Sequence, residues 1–197
     1  MRVPIAAIGK KGSQTVKDKK FQIVVFGATS FVGQILCRYL LDTFGLNSGL
    51  RWAVAGRSKE KLNQLCKDLG AAAENLPILI ADAGDEGALK SLCEDTEVVV
   101  STVGPYALFG EPLVKTCAQT GTDYCDLTGE AQWIRRMISR YESTAQGTGA
   151  RIVHCCGFDS IPSDLGVYFV QQQARAQFSE PCVKIKMRVK ADNAQFN

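Results

Sequence analysis

The stretch FQIVVFGATSFVGQILCRYL, residues 21–40, constrains this chain more than any other. A short apolar run meets Gly27, and from Phe31 onward apolar residues recur at helical spacing. Buried strand, glycine turn and helix, in that order, are how a dinucleotide-binding domain begins. Gly27 permits the tight turn out of the strand, and Gly33 lets the helix pack closely on the sheet. The amides of Thr29, Ser30, Phe31 and Val32 lie near the positive end of that helix, where a pyrophosphate would be cradled. Ser30 stands where the commonest form of the loop has its middle glycine. Its β-carbon narrows the approach, which is tolerable if its φ is negative, and its hydroxyl can donate to a phosphate oxygen. Taken alone, the pattern also fits a strand-to-helix turn in another α/β protein.

Downstream, strand-like apolar runs alternate with helical patterns, which implies a parallel sheet with helices on both faces. Strands are predicted at 21–26, 52–55, 78–81, 98–101, 124–127 and 152–154, and helices at 31–41, 59–69, 86–93, 110–119, 130–146 and 164–177. The fold class is therefore α/β, a doubly wound parallel sheet of the Rossmann type. The run CVKIKMRVK, 182–190, alternates apolar and basic residues strictly. It reads as a strand with one wet face, the first of an incomplete α+β second domain. The expected organisation is a basic tail over 1–20, a dinucleotide-binding domain over 21–178 and the start of a truncated domain over 179–197. The free edge of the 182–190 strand would offer a route to a homodimer.

Ends of the predicted strands carry the next candidates, because ligands of such sheets sit beyond the carboxyl ends of the strands. The second strand runs into Gly56, Arg57, Ser58 and Lys59, where an NAD-selective site would offer a carboxylate. Two cations and a hydroxyl suit a 2′-phosphate, with Arg57 gripping it through its planar fork, so NADP(H) is preferred over NAD(H). Ser58 can equally cap the following helix. Asp82 ends the third strand and is placed to accept from an adenine amino group. Val103, Gly104 and Pro105 follow the fourth and would line the crevice beside the nicotinamide ribose, with Tyr106 and Phe109 at its mouth.

Composition excludes several other classes. The formal charge is +3, but residues 1–20 carry a net +5, so the remainder is mildly acidic and does not suit nucleic acid. That basic tail reads as solvated, with peripheral membrane contact as its alternative. No run reaches the ~20 apolar residues of a membrane-spanning helix. Eight cysteines form no CxxC pair and have only His154 to join them, so reduced cytoplasmic thiols are expected rather than disulfides or a metal.

The motifs VVFGATSFVGQ, WAVAGRSKEKL, STVGPYALFGEPLVKTCAQTGTDYCDLTGE and GFDSIPSDLG, in this order and spacing, resemble the saccharopine dehydrogenase-like oxidoreductases, which include trans-acting enoyl reductases. The similarity runs from Phe21 to about Val170. It implies a nicotinamide-binding domain followed by an α+β domain that completes the substrate site. The enoyl reductase branch, best matched by HCCGFDSIPSDLG, implies hydride transfer from NADPH to a carbon–carbon double bond on a lipid or polyketide-type chain carried or released by a partner synthase.

Catalytic candidates are few. A short-chain dehydrogenase pairs a tyrosine with a lysine four residues on, but Thr43, Gly110, Thr128, Ala145 and Gln172 hold those places. His154, at the end of the sixth strand, can donate a proton or serve structurally. Asp159 lies on the following loop, where side chains reach the crevice, and either it or Ser163 can cap the next helix. Tyr106 is the third candidate. Glu130, after DLTG, reads as a helix-start carboxylate rather than a catalyst. The leading expectation is an NADP-dependent oxidoreductase, or its cofactor half; the alternative is a non-catalytic dinucleotide-binding or redox-sensing module.

Overall fold

The computed structural model describes residues 19–189. Six strands form one sheet in the order β3-β2-β1-β4-β5-β6: β1 Phe21–Phe26, β2 Trp52–Gly56, β3 Ile78–Ile80, β4 Thr96–Ser101, β5 Asp123–Asp126 and β6 Ile152–Val153. All pairings are parallel. The order reverses beside β1, where one half of the sheet turns away from the other and opens a crevice.

Alternation along β1 feeds two hydrophobic layers. Val24 and Phe26 join Leu89, Leu113 and Trp133 on the face covered by α3 (Glu86–Glu94), α5 (Glu111–Thr120) and α6 (Ala131–Thr148). Val25 joins Cys37, Leu40 and Leu62 under α1 (Phe31–Phe44) and α2 (Lys59–Leu69). The helices start where short polar side chains can take orphan amides: Ser30 accepts from Gly33 N–H, Ser58 from Lys61 N–H and Asp85 from Ala88 N–H. Helix α5 ends at Gly121, whose left-handed φ of 71° suits a residue without a β-carbon. A four-residue helix, α4 (Tyr106–Phe109), was not foreseen; its apolar run is too short to show a helical period.

Two expectations need correction. The strand proposed for 182–190 does not form over its described part. An extended segment needs a neighbouring ladder, whereas Cys182 directs its backbone N–H and C=O to the Gln171 side chain of α7 (Ile161–Phe178) and Val183 stands fully exposed. Helix α7 itself begins at Ile161, with Pro162 in its first turn, so Ser163 lies inside the helix and Ser160 occupies the cap position without a side-chain bond.

The tail expected over 1–20 falls mostly outside the described residues, but its Lys19 is no solvated lysine. Its ammonium donates to Cys93 O, Thr96 O and Thr122 Oγ1 at 3.1, 2.8 and 2.9 Å, tying the amino end of β1 to α3 and β4. Lys19→Met removes a charged donor from three acceptors and should cost about 2 kcal/mol of stability, read as a lower urea midpoint with an unchanged m-value.

Candidate functional site

Gly27 adopts φ +85°, and a β-carbon there would lie 2.5 Å from Val103 Cγ2. At Gly33 a β-carbon would come within 2.4 Å of Gly27 O. The first turn of α1 therefore sits directly on the strand-end backbone, which only glycine allows.

Ser30 has φ −70° and ψ 162°, ordinary extended backbone, so the residue does not block the loop. Its hydroxyl accepts from Gly33 N–H at 3.0 Å and donates to Thr102 Oγ1 at 2.9 Å. Thr102 in turn donates to Gly27 O at 2.8 Å. The expected donation from Ser30 to a phosphate is thus directed within the protein instead. It stitches the loop after β1 to the end of β4. The amides of Phe31 and Val32, first in α1, have no intrahelical acceptor and are the donors left for an anion.

A cavity of about 300 Å³ opens over this loop. Gly27, Thr29 and Ser30 line it from the β1 loop, Arg57 from the end of β2, Asp82 from the end of β3, and Val103 and Gly104 from the end of β4. Phe109 closes one side. It occupies the switch point of the sheet. Thr102 also lines it, a residue missed in the sequence reading although its hydroxyl at a strand end was a visible signal.

Six other residues expected here lie beside the cavity. Phe31 and Val32 are exposed on the first turn of α1, and Gly33 is buried beneath it. Ser58 caps α2 and donates to Glu60 Oε2 at 2.9 Å, so its capping role is the one displayed. Lys59 opens α2 on the surface, and Pro105 precedes α4, joined to Gly104 by a cis bond. Arg57 is exposed and, among the described residues, makes no ion pair. Asp82 accepts from Gly84 N–H at 2.8 Å in a local turn. A glycine cradle, open amides and an unpaired guanidinium at the β2 end fit a phosphorylated dinucleotide.

The model of the saccharopine dehydrogenase NADP-binding domain family matches residues 23–153. This chain belongs to that family.

Trans-acting enoyl reductases of Mycobacterium tuberculosis (strain ATCC 25618 / H37Rv) and Mycobacterium leprae are similar to it, 46% identical over 151 residues and 45% over 150. These alignments cover 77% and 76% of this chain but 35% of each relative, so the chain spans about a third of their length. Among solved structures, the apo saccharopine dehydrogenase (L-Glu forming) of Saccharomyces cerevisiae shares the fold, with a TM-score of 0.61 at 22% identity over 79% of this chain and 32% of that one. By the family match and the relatives at 45–46% identity, the chain is homologous to NADP-dependent oxidoreductases.

The catalytic candidates occupy less open places in this family member. Tyr106 is buried; its hydroxyl donates to Ser101 O at 3.0 Å and accepts from Leu127 N–H at 3.4 Å. Burial pushes its phenol up to about 12. The His154 side chain is 7% exposed, with Nδ1 2.7 Å from Asp126 Oδ2. Facing a carboxylate, Nδ1 carries the proton and donates. Among the described residues its Nε2 is buried without a partner, and the residue lines a second cavity of about 530 Å³ between α6 and β6. Asp159 is exposed on the turn before α7.

Two outcomes follow. Gly33→Ala should destabilise the chain by about 3 kcal/mol in denaturant unfolding and abolish nucleotide binding. A folded pKa raised from the usual 10 to about 12 adds stability present below pH 10 and lost as pH climbs towards 12, so Tyr106→Phe should flatten the alkaline arm of a stability–pH curve.

Proposed function

We propose that this chain is the NADP(H)-holding part of an enoyl reductase that acts on a lipid or polyketide-type chain. NADPH bound at the switch point would supply the hydride for reduction of a carbon–carbon double bond. The observation that carries the reading is Arg57, which lines the cavity from the end of β2 and, among the described residues, makes no ion pair. The resemblance to trans-acting enoyl reductases at 45–46% identity supports the choice of reaction.

In this reading Gly27, Thr29, Ser30 and Gly33 shape the phosphate loop, and the amides of Phe31 and Val32 bind the pyrophosphate. Arg57 grips the 2′-phosphate, with Lys59 adding charge and Ser58 fixing the helix start. Asp82 accepts from the adenine amino group. Val103, Gly104 and Pro105 floor the nicotinamide ribose. No proton donor is assigned: Tyr106 and His154 are engaged inside the protein, and Asp159 is the candidate left with an open path to solvent.

In this reading residues 21–178 form the dinucleotide-binding unit. A synthase that carries or releases the acyl chain is the partner, in the cytoplasm. Among the described residues no helix is long and apolar enough to cross a membrane.

Calorimetric titration with NADPH and NADH tests this. NADPH should bind at least about tenfold more tightly, and Arg57→Ala should erase that preference while sparing NADH, as loss of a charged hydrogen bond requires. Equal affinities, or no binding, would overturn it. NADPH binding without turnover of any enoyl thioester by the full-length protein would favour a non-catalytic module.

A further inference from the structure

Glu130 immediately precedes α6, yet makes no side-chain capping bond to that helix. Its carboxylate reaches instead to the loop after β4. Oε1 accepts Tyr106 N–H at 2.7 Å and Oε2 accepts Ala107 N–H at 2.8 Å. These are the first two amides of α4, which have no acceptor within their own helix. The two charge-assisted bonds fix both the position and the tilt of the turn.

That turn belongs to the cavity wall. Val103 and Gly104 line the cavity just before it, and Phe109 lines it at the end of α4. Tyr106 anchors the same turn from beneath through its bond to Ser101 O. Gly110 lies so close to Trp133 that a β-carbon would stand 2.6 Å from its ring.

Glu130 is itself held. Its N–H donates to Thr128 Oγ1, and Thr128 N–H donates to Asp126 Oδ1, each at 3.1 Å. Asp126 Oδ2 accepts Tyr124 OH at 2.9 Å and faces His154 Nδ1 at 2.7 Å. Hydrogen bonds therefore run from the end of β6, through the loop after β5, to the wall beyond β4.

We propose that Glu130 is a positioning residue that sets the 103–109 wall of the NADP cavity and so governs nucleotide affinity from outside it. The proposal rests on the reading of that cavity as the NADP site.

The test compares the wild-type chain, Glu130→Gln, Glu130→Ala and Arg38→Met. Arg38 is the control because it also makes two hydrogen bonds, to Asp68 O and Leu69 O, and joins α1 to the end of α2 without lining the cavity. Each variant is read by thermal midpoint, by calorimetric NADPH affinity, and by hydrogen exchange at Tyr106 and Ala107 without nucleotide. Glu130→Gln keeps one acceptor, so NADPH should bind about tenfold more weakly, and Glu130→Ala should lose more. Exchange at both amides should accelerate in both variants. Arg38→Met should lower the midpoint and leave affinity unchanged. Unchanged affinity in Glu130→Gln, with a midpoint lowered as in Arg38→Met, would overturn the proposal and leave Glu130 a strut. A wild-type chain that binds no NADPH would sink the cavity reading, and with it the proposed control of affinity. Exchange at Tyr106 and Ala107 would still report separately whether Glu130 holds the turn.

Discussion

The contact between the first turn of α1 and the end of β1 sets the geometry on which the rest of the crevice depends. With hydrogen in place of a side chain at Gly33, the helix lies against the Gly27 carbonyl. Gly27, in its left-handed conformation, makes room for Val103 on the neighbouring strand end. These close approaches bring the start of α1 over the sheet at the point where strand order reverses. A cavity over that point is then bounded by whatever follows β1, β2, β3 and β4.

Ser30 shows how a departure from the commonest loop can be absorbed. A middle glycine leaves room for a phosphate through the absence of atoms. Here the added hydroxyl is placed where it caps α1 and bonds Thr102, whose own hydrogen goes to Gly27 O. The loop gains a hydrogen-bonded tie to β4, and its φ stays in a region open to any residue. Under the proposed reading, binding of an anion then falls to the backbone amides of the first helical turn and to Arg57 rather than to the serine.

A second ordering centre lies beyond β5. The Asp126 carboxylate, fully buried, accepts from Thr128 N–H and Cys155 N–H on one oxygen and from Tyr124 OH on the other, where His154 Nδ1 also meets it. A buried carboxylate is tolerable only when so thoroughly partnered. This requirement draws in the side chains of Tyr124 and His154. His154 leaves the strand to meet Asp126, Tyr106 turns its hydroxyl inward, and Glu130 serves the turn after β4 rather than its own helix.

The sequence by itself determined the alternation of strands and helices, the parallel sheet, the glycine loop and the chemistry at each strand end. Those features are local: a buried strand, an amphipathic helix and a tight turn each impose a composition that repeats over a few residues. Only the tertiary structure decided what Ser30, Tyr106, His154 and Glu130 do, because each has a partner between 21 and 72 residues away in the chain. The same limit explains the segment after Cys182 and the lysine at 19. Alternation predicts a strand but supplies no neighbour for it, and a lysine in a charged run carries no sign of the three acceptors that folding brings to it. Spacing specifies an element, whereas a hydrogen-bond partner is specified by the packing of all the elements together.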